Sequence, residues 1–325
     1  MMRRTLLFIL MTVLLVAAFV ADMLTGSVSV AVGDILAALG GAETDAVSRH
    51  IILNIRLTKA ASAMFAGAAL SVSGLMMQTL FRNPLAGPYV LGISSGASLG
   101  VALVVLAGAG GAMSVAGAAW TGAAAVLLLL AIVARRVRDI TVILILGIMF
   151  SSGVSAVVQI LQYLSDEQSL KTFVIWTMGS LADVTPTRLA ILAPSVLVGL
   201  VLAMACVKPL NLLLFGEDYA RTVGARLGRC RTMVFISTTL LAGTVTAFCG
   251  PVGFVGLAMP HVCRALSGSS DHRVLMPLCI MAGAAVMLLC DLLSKVYALP
   301  VNAITSVLGV PVVVWVVLRY QSFKS

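Results

Sequence analysis

Charged residues are scarce in this chain. Only 10% of its 325 residues are Asp, Glu, Lys or Arg, whereas 61% are hydrophobic, and the mean hydropathy is +1.12. So little polar surface cannot enclose this many apolar side chains as a water-soluble globule. The composition therefore excludes a soluble domain and predicts a membrane protein.

Two chemical signatures are also missing. None of the five lysines follows a glycine, so the sequence has no GxxxxGK[ST] phosphate-binding loop, and we expect no ATP site of that kind. The six cysteines are at least eleven residues apart and form no CxxC pair, which indicates isolated buried thiols. We therefore expect no catalytic residues, no metal ligands and no cofactor bound by this chain.

Apolar runs of membrane-spanning length recur from one end of the chain to the other. A bilayer core of about 30 Å takes roughly 20 apolar residues per helix. The candidate spans are 5–24, 60–81, 89–107, 113–134, 139–162, 187–207, 231–249, 251–266, 274–296 and 303–318. The segment 251–266 is short and contains two prolines, so a re-entrant segment and nine crossings remain an alternative to ten.

The distribution of basic residues favours ten crossings. With a cytoplasmic N-terminus, ten crossings place fifteen of the 21 basic residues on the cytoplasmic side, as the positive-inside rule requires. We therefore expect a multi-pass membrane protein with both termini in the cytoplasm. The net charge of +9 is then mainly an orientation signal, and no basic soluble domain exists that would bind nucleic acid.

The predicted architecture is an all-α bundle in lipid, with residues 1–325 forming one transmembrane domain. Small residues such as Gly67, Ser71 and Gly74 predict close helix packing. Thr185 followed by Pro186 indicates a helix start. The apolar segment 169–182 is too short to cross and predicts a half-helix or an interfacial anchor, and "VSVAVGDILAAL" predicts a short surface helix.

One stretch, "FGEDYARTVGARLGRCR" at 215–231, is unusually polar for this chain. Glu217 and Asp218 suit the positive end of a short helix, and Gly224 suits its end. About seven residues are too few to hold a helix alone, so the segment must pack against something. A solvated loop whose arginines only set the orientation remains an alternative.

The same stretch resembles a cytoplasmic loop of one transporter family. Gly216, Glu217, Ala220 and Gly224 match the pattern G-E-x-x-A-x-x-x-G, and further matching blocks begin at "RLTKAASAMFAGAAL", "WTMGSLADVT", "GPVGFVGLAMPH" and "LPVNAITSVLGVP". Together these blocks resemble the permease subunits of binding-protein-dependent ABC importers for iron chelates (siderophores or haem) and cobalamin. The resemblance implies a cobalamin-importer-permease-like bundle of about ten transmembrane helices.

The resemblance also implies partners and site residues. The partners would be two ATP-binding cassette subunits that use ATP and Mg²⁺, an extracytoplasmic substrate-binding protein, a second permease copy or paralogue, and membrane lipid. A cytoplasmic coupling loop at 208–230 would dock on the ATPase, and its residues would be Gly216, Glu217, Asp218, Ala220, Arg221 and Gly224. Basic residues that would receive the binding protein are Arg56, Lys59 and Lys295, for which snorkelling anchors are the alternative. Asn83 and Leu85 match positions that constrict the cytoplasmic end of the path in this family, with a plain turn at Pro84 and Pro88 as the alternative, and Thr141 is a further gate candidate in a segment that aligns more loosely.

Two other functions remain open from the residues alone. An ion-coupled transporter needs buried acids or histidines, and Asp291 is the only acid that we place well inside a span, four residues from a lysine with which it can pair. A membrane enzyme would have to use His261, Cys263, Asp271 and His272. Their spacing fits no standard metal motif. Because His261 follows Pro260 within the block "GPVGFVGLAMPH", the resemblance to the permease family implies a structural role for it.

Overall fold

The structure is a computed structural model that describes residues 2–26, 28, 30–41, 45–108, 114–137 and 139–322. Within these ranges the secondary structure is helical. The α-helices are α1 (Met2–Leu24), α2 (Val32–Leu39), α3 (Ala46–His50), α4 (Thr58–Leu80), α5 (Ile93–Val105), α6 (Val115–Arg136), α7 (Ile140–Leu164), α8 (Glu167–Thr177), α9 (Pro186–Ala205), α10 (Val207–Leu213), α11 (Glu217–Thr222), α12 (Leu227–Thr238), α13 (Thr244–Cys249), α14 (Val255–Ser267), α15 (His272–Tyr297) and α16 (Val301–Ser322). Two π-helical segments, Ile51–Leu57 and Thr239–Gly243, join α3 to α4 and α12 to α13.

Each of the ten predicted spans overlaps helical structure; the span 231–249 contains α12, a π-helical segment and α13, and the span 89–107 is helical only at Ile93–Val105. Six helices among the described residues are long and apolar enough to cross a membrane: Arg4–Leu24, Ala46–Leu80, Ile140–Leu164, Pro186–Ala205, Leu227–Cys249 and His272–Tyr297. The helices α5, α6, α14 and α16 occupy the other four predicted spans. The helix α14 has 13 residues and is about 20 Å long. This confirms the prediction that the segment is short for a membrane span.

The helix α4 lies at the centre of the bundle, packed against α9, α14 and α15. Small residues allow this packing, as the sequence predicted. A Cβ atom added at Gly67 would lie 2.1 Å from the carbonyl oxygen of Gly283 in α15. A Cβ added at Gly74 would lie 1.6 Å from the carbonyl oxygen of Gly256 in α14. These backbones touch because nothing larger than hydrogen separates them.

The predicted short elements and helix starts are confirmed. Thr185 caps α9 by accepting from the Arg188 amide, and Pro186 is the first helical residue. The half-helix expected within 169–182 is α8, which Asp166 caps by accepting from the Ser169 amide at 2.9 Å. That backbone hydrogen bond lowers the pKa of Asp166. The expected surface helix is α2, although its relation to a membrane stays a prediction.

Candidate functional site

The polar stretch forms a short helix bounded by glycines. The helix α11 has six residues, and Gly216 before it has a φ of 110°. After it, the Gly224 amide donates to the Arg221 carbonyl and the Ala225 amide to the Ala220 carbonyl, both at 2.9 Å. This pair of bonds is a Schellman motif, which requires the positive φ that Gly224 adopts, 87°. The helix and its glycine stop were both expected from the sequence.

One face of α11 is anchored to the bundle. Ala220 is fully buried, and Glu217 accepts from Arg231 of α12 at 2.5 Å. Arg221, one turn later on α11, lies 3.6 Å from the other oxygen of Glu217. The partly buried ion pair between Glu217 and Arg231 therefore fixes α11 against α12, which provides the packing partner that so short a helix needs.

The other face of α11 and its flanks are exposed and partly apolar. Phe215 is 73% exposed, and its ring centroid lies 5.3 Å from that of Tyr219. Val223 is also exposed, as is the predicted coupling residue Asp218. An anchored helix that displays aromatic and aliphatic side chains beside charges has the composition of a protein–protein contact surface.

The predicted gate residues lie at two helix ends. Asn83 accepts from the Leu85 amide at 2.9 Å and so forms a tight turn after α4, in which Leu85 is exposed. Pro84 in this turn accepts from His261 Nε2 at 2.7 Å. Thr141 is exposed at the start of α7, and its amide donates to Asp139. Among the described residues, no hydrogen bond joins Thr141 to the turn, so the gate role stays a prediction.

The four residues considered for a membrane enzyme take part in helix contacts, and among them Asp271 and His272 share one partner, Asn211. His261 holds the turn after α4, which agrees with a structural role, and Cys263 is a free buried thiol like the other five cysteines. Asp271 caps α15, and His272 bonds to Thr79 and Asn211. The arrangement therefore builds helix contacts rather than one reaction centre.

The three predicted docking residues lie at the opposite end of the bundle from α10 and α11. His272, the first residue of α15, contacts α10, whereas Lys295 lies near the end of the same 26-residue helix. Such a helix is about 39 Å long. Arg56 is only 4% exposed, and its guanidinium donates to the carbonyls of Met23, Leu24 and Val28. Its contacts are thus mainly internal.

Lys59 and Lys295 belong to a buried group of four charges. Lys295 lies 2.9 Å from Asp291, which confirms the pairing expected from their spacing, and Lys59 lies 3.3 Å from the same carboxylate. The fourth member is Asp22 of α1, 2.8 Å from Lys295. Sequence alone does not distinguish Asp22 as a buried charge, because it lies near the end of the first predicted span. Both carboxylates are fully buried, and the two lysines balance their charge.

Two cavities occupy the same end of the bundle. One of about 260 Å³ is bordered by Lys59 and by residues that follow α8 and α15, such as Ser180 and Leu299. The other, about 570 Å³, is lined by Trp176 and Arg188 among others. Lys59 therefore reaches a recess in the surface despite its ion pair, and 16% of its side chain is exposed.

The fold and the site define a helical membrane protein with a short anchored helix at one end of the bundle and buried charges and cavities at the other. Residues 14–319 match the model of the FecCD transport family. This match covers nearly the whole chain, so the protein belongs to the FecCD transport family.

Individual relatives agree with this assignment. The chain is 35% identical over 286 residues to the hemin transport system permease protein HmuU of Yersinia pestis, covering 85% of each chain. It is 34% identical over 317 residues to the vitamin B12 import system permease protein BtuC of Klebsiella pneumoniae, covering 95% of this chain and 92% of the relative. Among solved structures, a metal-chelate type ABC transporter in an inward-facing conformation superposes with a TM-score of 0.85 at 29% identity, over 98% of this chain and 99% of the other.

Proposed function

We propose that this chain is the transmembrane subunit of an ABC importer that moves a metal chelate across the bacterial cytoplasmic membrane. Its relatives are permeases for hemin and vitamin B12, and its structural neighbour is a metal-chelate type ABC transporter. The substrate class is therefore haem, cobalamin or a ferric siderophore. Because the sequence contains no phosphate-binding loop, partner subunits bind Mg²⁺ and ATP and hydrolyse it.

The observation that carries this proposal is the geometry of α11. Ala220 and Glu217 hold one side of the helix against the bundle, while Phe215 and Tyr219 present rings to the outside. A partner that binds the exposed side of α11 transmits force to the bundle through the anchored side of the helix. This is the coupling element expected at 208–230, seated in a groove of the ATPase subunit.

The remaining parts of the importer follow from this orientation. Two copies of the permease, or this chain and a paralogue, enclose the path, and α11 faces the cytoplasm. The substrate-binding protein then meets the other end, where Lys59 and Lys295 lie, and its acidic residues approach these lysines. Asn83, Leu85 and Thr141 lie at the cytoplasmic end of the path and constrict it.

The energy for transport comes from the ATPase partner. Moving a two-state population from 1:99 to 99:1 takes about 5.5 kcal/mol of differential binding. A ligand that binds both conformations equally shifts nothing. ATP-driven closure of the partner subunits supplies such a difference by binding α11 in one conformation of the permease more tightly than in the other.

The alternative of an ion-coupled carrier receives less support from the buried acids. Such a carrier needs a carboxylate that gains and loses an ion along a path. Asp22 and Asp291 each have a lysine within 2.9 Å, and the four charges balance. Their arrangement favours a structural or docking role over ion transfer.

Co-purification and transport assays test the proposal. The tagged chain is expressed with candidate ATPase and binding-protein partners, and the complex is reconstituted into liposomes. We expect ATP hydrolysis that rises when the binding protein carries its chelate, and uptake only when ATP is present. Haem, cobalamin and a ferric siderophore loaded in turn distinguish the substrates.

Two substitutions, one in α11 and one at the glycine that ends it, make the assay specific for the coupling role of this helix. Glu217→Arg places a cation beside Arg221 and Arg231, and Gly224→Trp adds bulk where the backbone needs a positive φ. We expect both variants to insert into the membrane normally but to separate ATP hydrolysis from uptake. Normal uptake by both variants, or transport by the purified chain without an ATPase, would contradict the proposal.

A further inference from the structure

A polar junction joins α10 to the start of α15. The side-chain oxygen of Asn211 in α10 accepts from the His272 amide at 2.8 Å and lies 2.7 Å from His272 Nδ1. Its amide nitrogen donates to the Asp271 carboxylate at 2.6 Å. Asn211 thereby uses both ends of its amide on two consecutive residues of another segment.

The junction continues from α15 into α4. His272 is fully buried, and its Nε2 lies 2.8 Å from the hydroxyl of Thr79. Because an amide oxygen can only accept, His272 Nδ1 carries a proton, and in the neutral ring Nε2 accepts from Thr79. One chain of hydrogen bonds thus crosses three helices at the cytoplasmic end.

The junction also has a fixed charge at its edge. Asp271 accepts from the Arg273 amide at 2.9 Å as the cap of α15. That backbone hydrogen bond, with the contribution of Asn211, lowers the pKa of Asp271. The carboxylate is therefore charged and holds the Asn211 amide in one orientation. Charge-assisted hydrogen bonds of this kind are stronger and more directional than apolar contacts.

Asn211 lies close to α11 along the chain. Only three residues separate the end of α10 from α11, and they form a tight turn in which the Phe215 and Gly216 amides donate to the carbonyls of Leu212 and Leu213. A displacement of α11 therefore moves α10 with it. Apolar side chains would let α10 slide, whereas the bonds of Asn211 must either move α15 or break.

The helices α15 and α4, which the junction connects to α10, both reach the proposed docking surface at their other ends. The helix α15 runs from His272 at the junction to Lys295, and α4 runs from Lys59 to Thr79 at the junction. We propose that Asn211, His272 and Thr79 form a relay that converts displacement of α11 into movement of α4 and α15 and so of the binding-protein end. This inference rests on the proposed function of α11 and adds positioning residues outside α11.

Paired substitutions in the reconstituted importer test the relay. Asn211→Leu keeps the approximate size of the side chain but removes its hydrogen bonds. Thr79→Val removes the hydroxyl at nearly constant volume, while Thr79→Ser keeps it and is the matched control. The measurements are co-purification with the ATPase, ATP hydrolysis, and substrate imported per ATP hydrolysed.

We expect each variant to bind the ATPase as the wild type does and to hydrolyse ATP within about twofold of it. Import per ATP should fall about tenfold in Asn211→Leu and about threefold in Thr79→Val, and stay at the wild-type value in Thr79→Ser. Hydrogen exchange gives a second measurement. Nucleotide trapping should change protection in both 207–213 and 272–276 in the wild type, but only in 207–213 in Asn211→Leu.

Two results would count against the relay. If import per ATP is unchanged in Asn211→Leu and Thr79→Val while the wild type is coupled, the relay is wrong and the proposed function stands. If the wild-type chain neither binds an ATPase nor imports with ATP, the proposed function is wrong and the relay fails with it. Should Asn211→Leu fail to fold, the comparison of Thr79→Val with Thr79→Ser still decides between these results.

Discussion

The ammonium of Lys295 lies 2.8 Å from the carboxylate of Asp22, although the two residues are 273 positions apart. This contact ties the first helix of the chain to the end of α15. Lys295 also reaches Asp291 on its own helix, and Lys59 reaches Asp291 from α4. One group of four charges thus connects three helices, and removing any single member leaves an unbalanced charge in the bundle.

A double-mutant cycle on this pair tests the balance of charge. Asp22→Leu leaves two lysines with one carboxylate, and Lys295→Met leaves two carboxylates with one lysine. Each single change should lower stability by about 3 kcal/mol, because breaking one side of a buried ion pair strands the other. The double variant keeps the neutral pair of Lys59 and Asp291 and should be more stable than the sum of the single losses implies. Thermal unfolding in detergent measures all four proteins, and strictly additive losses would contradict the network.

Local signals in the sequence predicted the elements but not this group. The pairing of Asp291 with Lys295 follows from a spacing of four on one helix, and it is confirmed. The contributions of Asp22 and Lys59 depend on how α1 and α4 pack beside α15, and no local pattern encodes that packing. The same limit applies to Asn211, since its partner His272 lies 61 residues further on.

The candidate coupling helix was predictable because its signals are short-range. Glu217 and Asp218 at the start and Gly224 at the stop act within a few residues of α11. Its anchor was not predicted, because the role of Arg231 depends on where α12 begins. The docking role of Arg56 was inferred from resemblance, and the structure gives this side chain internal carbonyl partners instead of an exposed position.

Gly224 and Gly228 provide a matched pair for the geometry of the coupling helix. A Cβ at either glycine meets no atom within 4 Å, but only Gly224 has a positive φ, 87°. Gly224→Ala should therefore cost about 1–2 kcal/mol in its native conformation and weaken ATPase binding about tenfold. Gly228→Ala lies in α12 and should leave binding unchanged or slightly improve helix stability. Titration of the ATPase onto the permease in nanodiscs measures both, and equal affinities would argue against a role for the glycine stop.

Gly283 and Gly153 provide a second matched pair, which tests the close contact between helices. A Cβ at Gly283 would lie 2.3 Å from the Gly67 carbonyl oxygen, whereas one at Gly153 in α7 meets nothing within 4 Å. Gly283→Ala should destabilise the bundle by about 1–3 kcal/mol, because α4 and α15 must separate. Gly153→Ala should melt at the wild-type temperature or slightly above it. If both variants melt alike, the two backbones do not make the close contact described above.

The proposed contact between Lys59 and the binding protein is testable by removing its charge. Lys59 borders a recess of about 260 Å³, and its side chain is 16% exposed, so an acidic side chain of a partner can approach it. Lys59→Gln should slow association with the binding protein and reduce its dependence on salt, because charge across an interface mainly accelerates encounter. Lys59→Gln also leaves two carboxylates with one lysine, so it should lower stability as the other single changes do, and association is measured at a temperature at which both proteins remain folded.

Lys171 is the matched control for that prediction. It is exposed on α8, and Ile175, one turn further along the same helix, borders the same recess as Lys59. If binding depends on a seat at Lys59, then Lys171→Gln leaves the association rate within about twofold of the wild type at every salt concentration. If instead the whole surface attracts the partner through its general positive charge, both variants slow association equally. The ratio of the two association rates at low salt therefore distinguishes a specific contact at Lys59 from general electrostatic attraction. Only a larger effect of Lys59→Gln than of Lys171→Gln agrees with docking at Lys59.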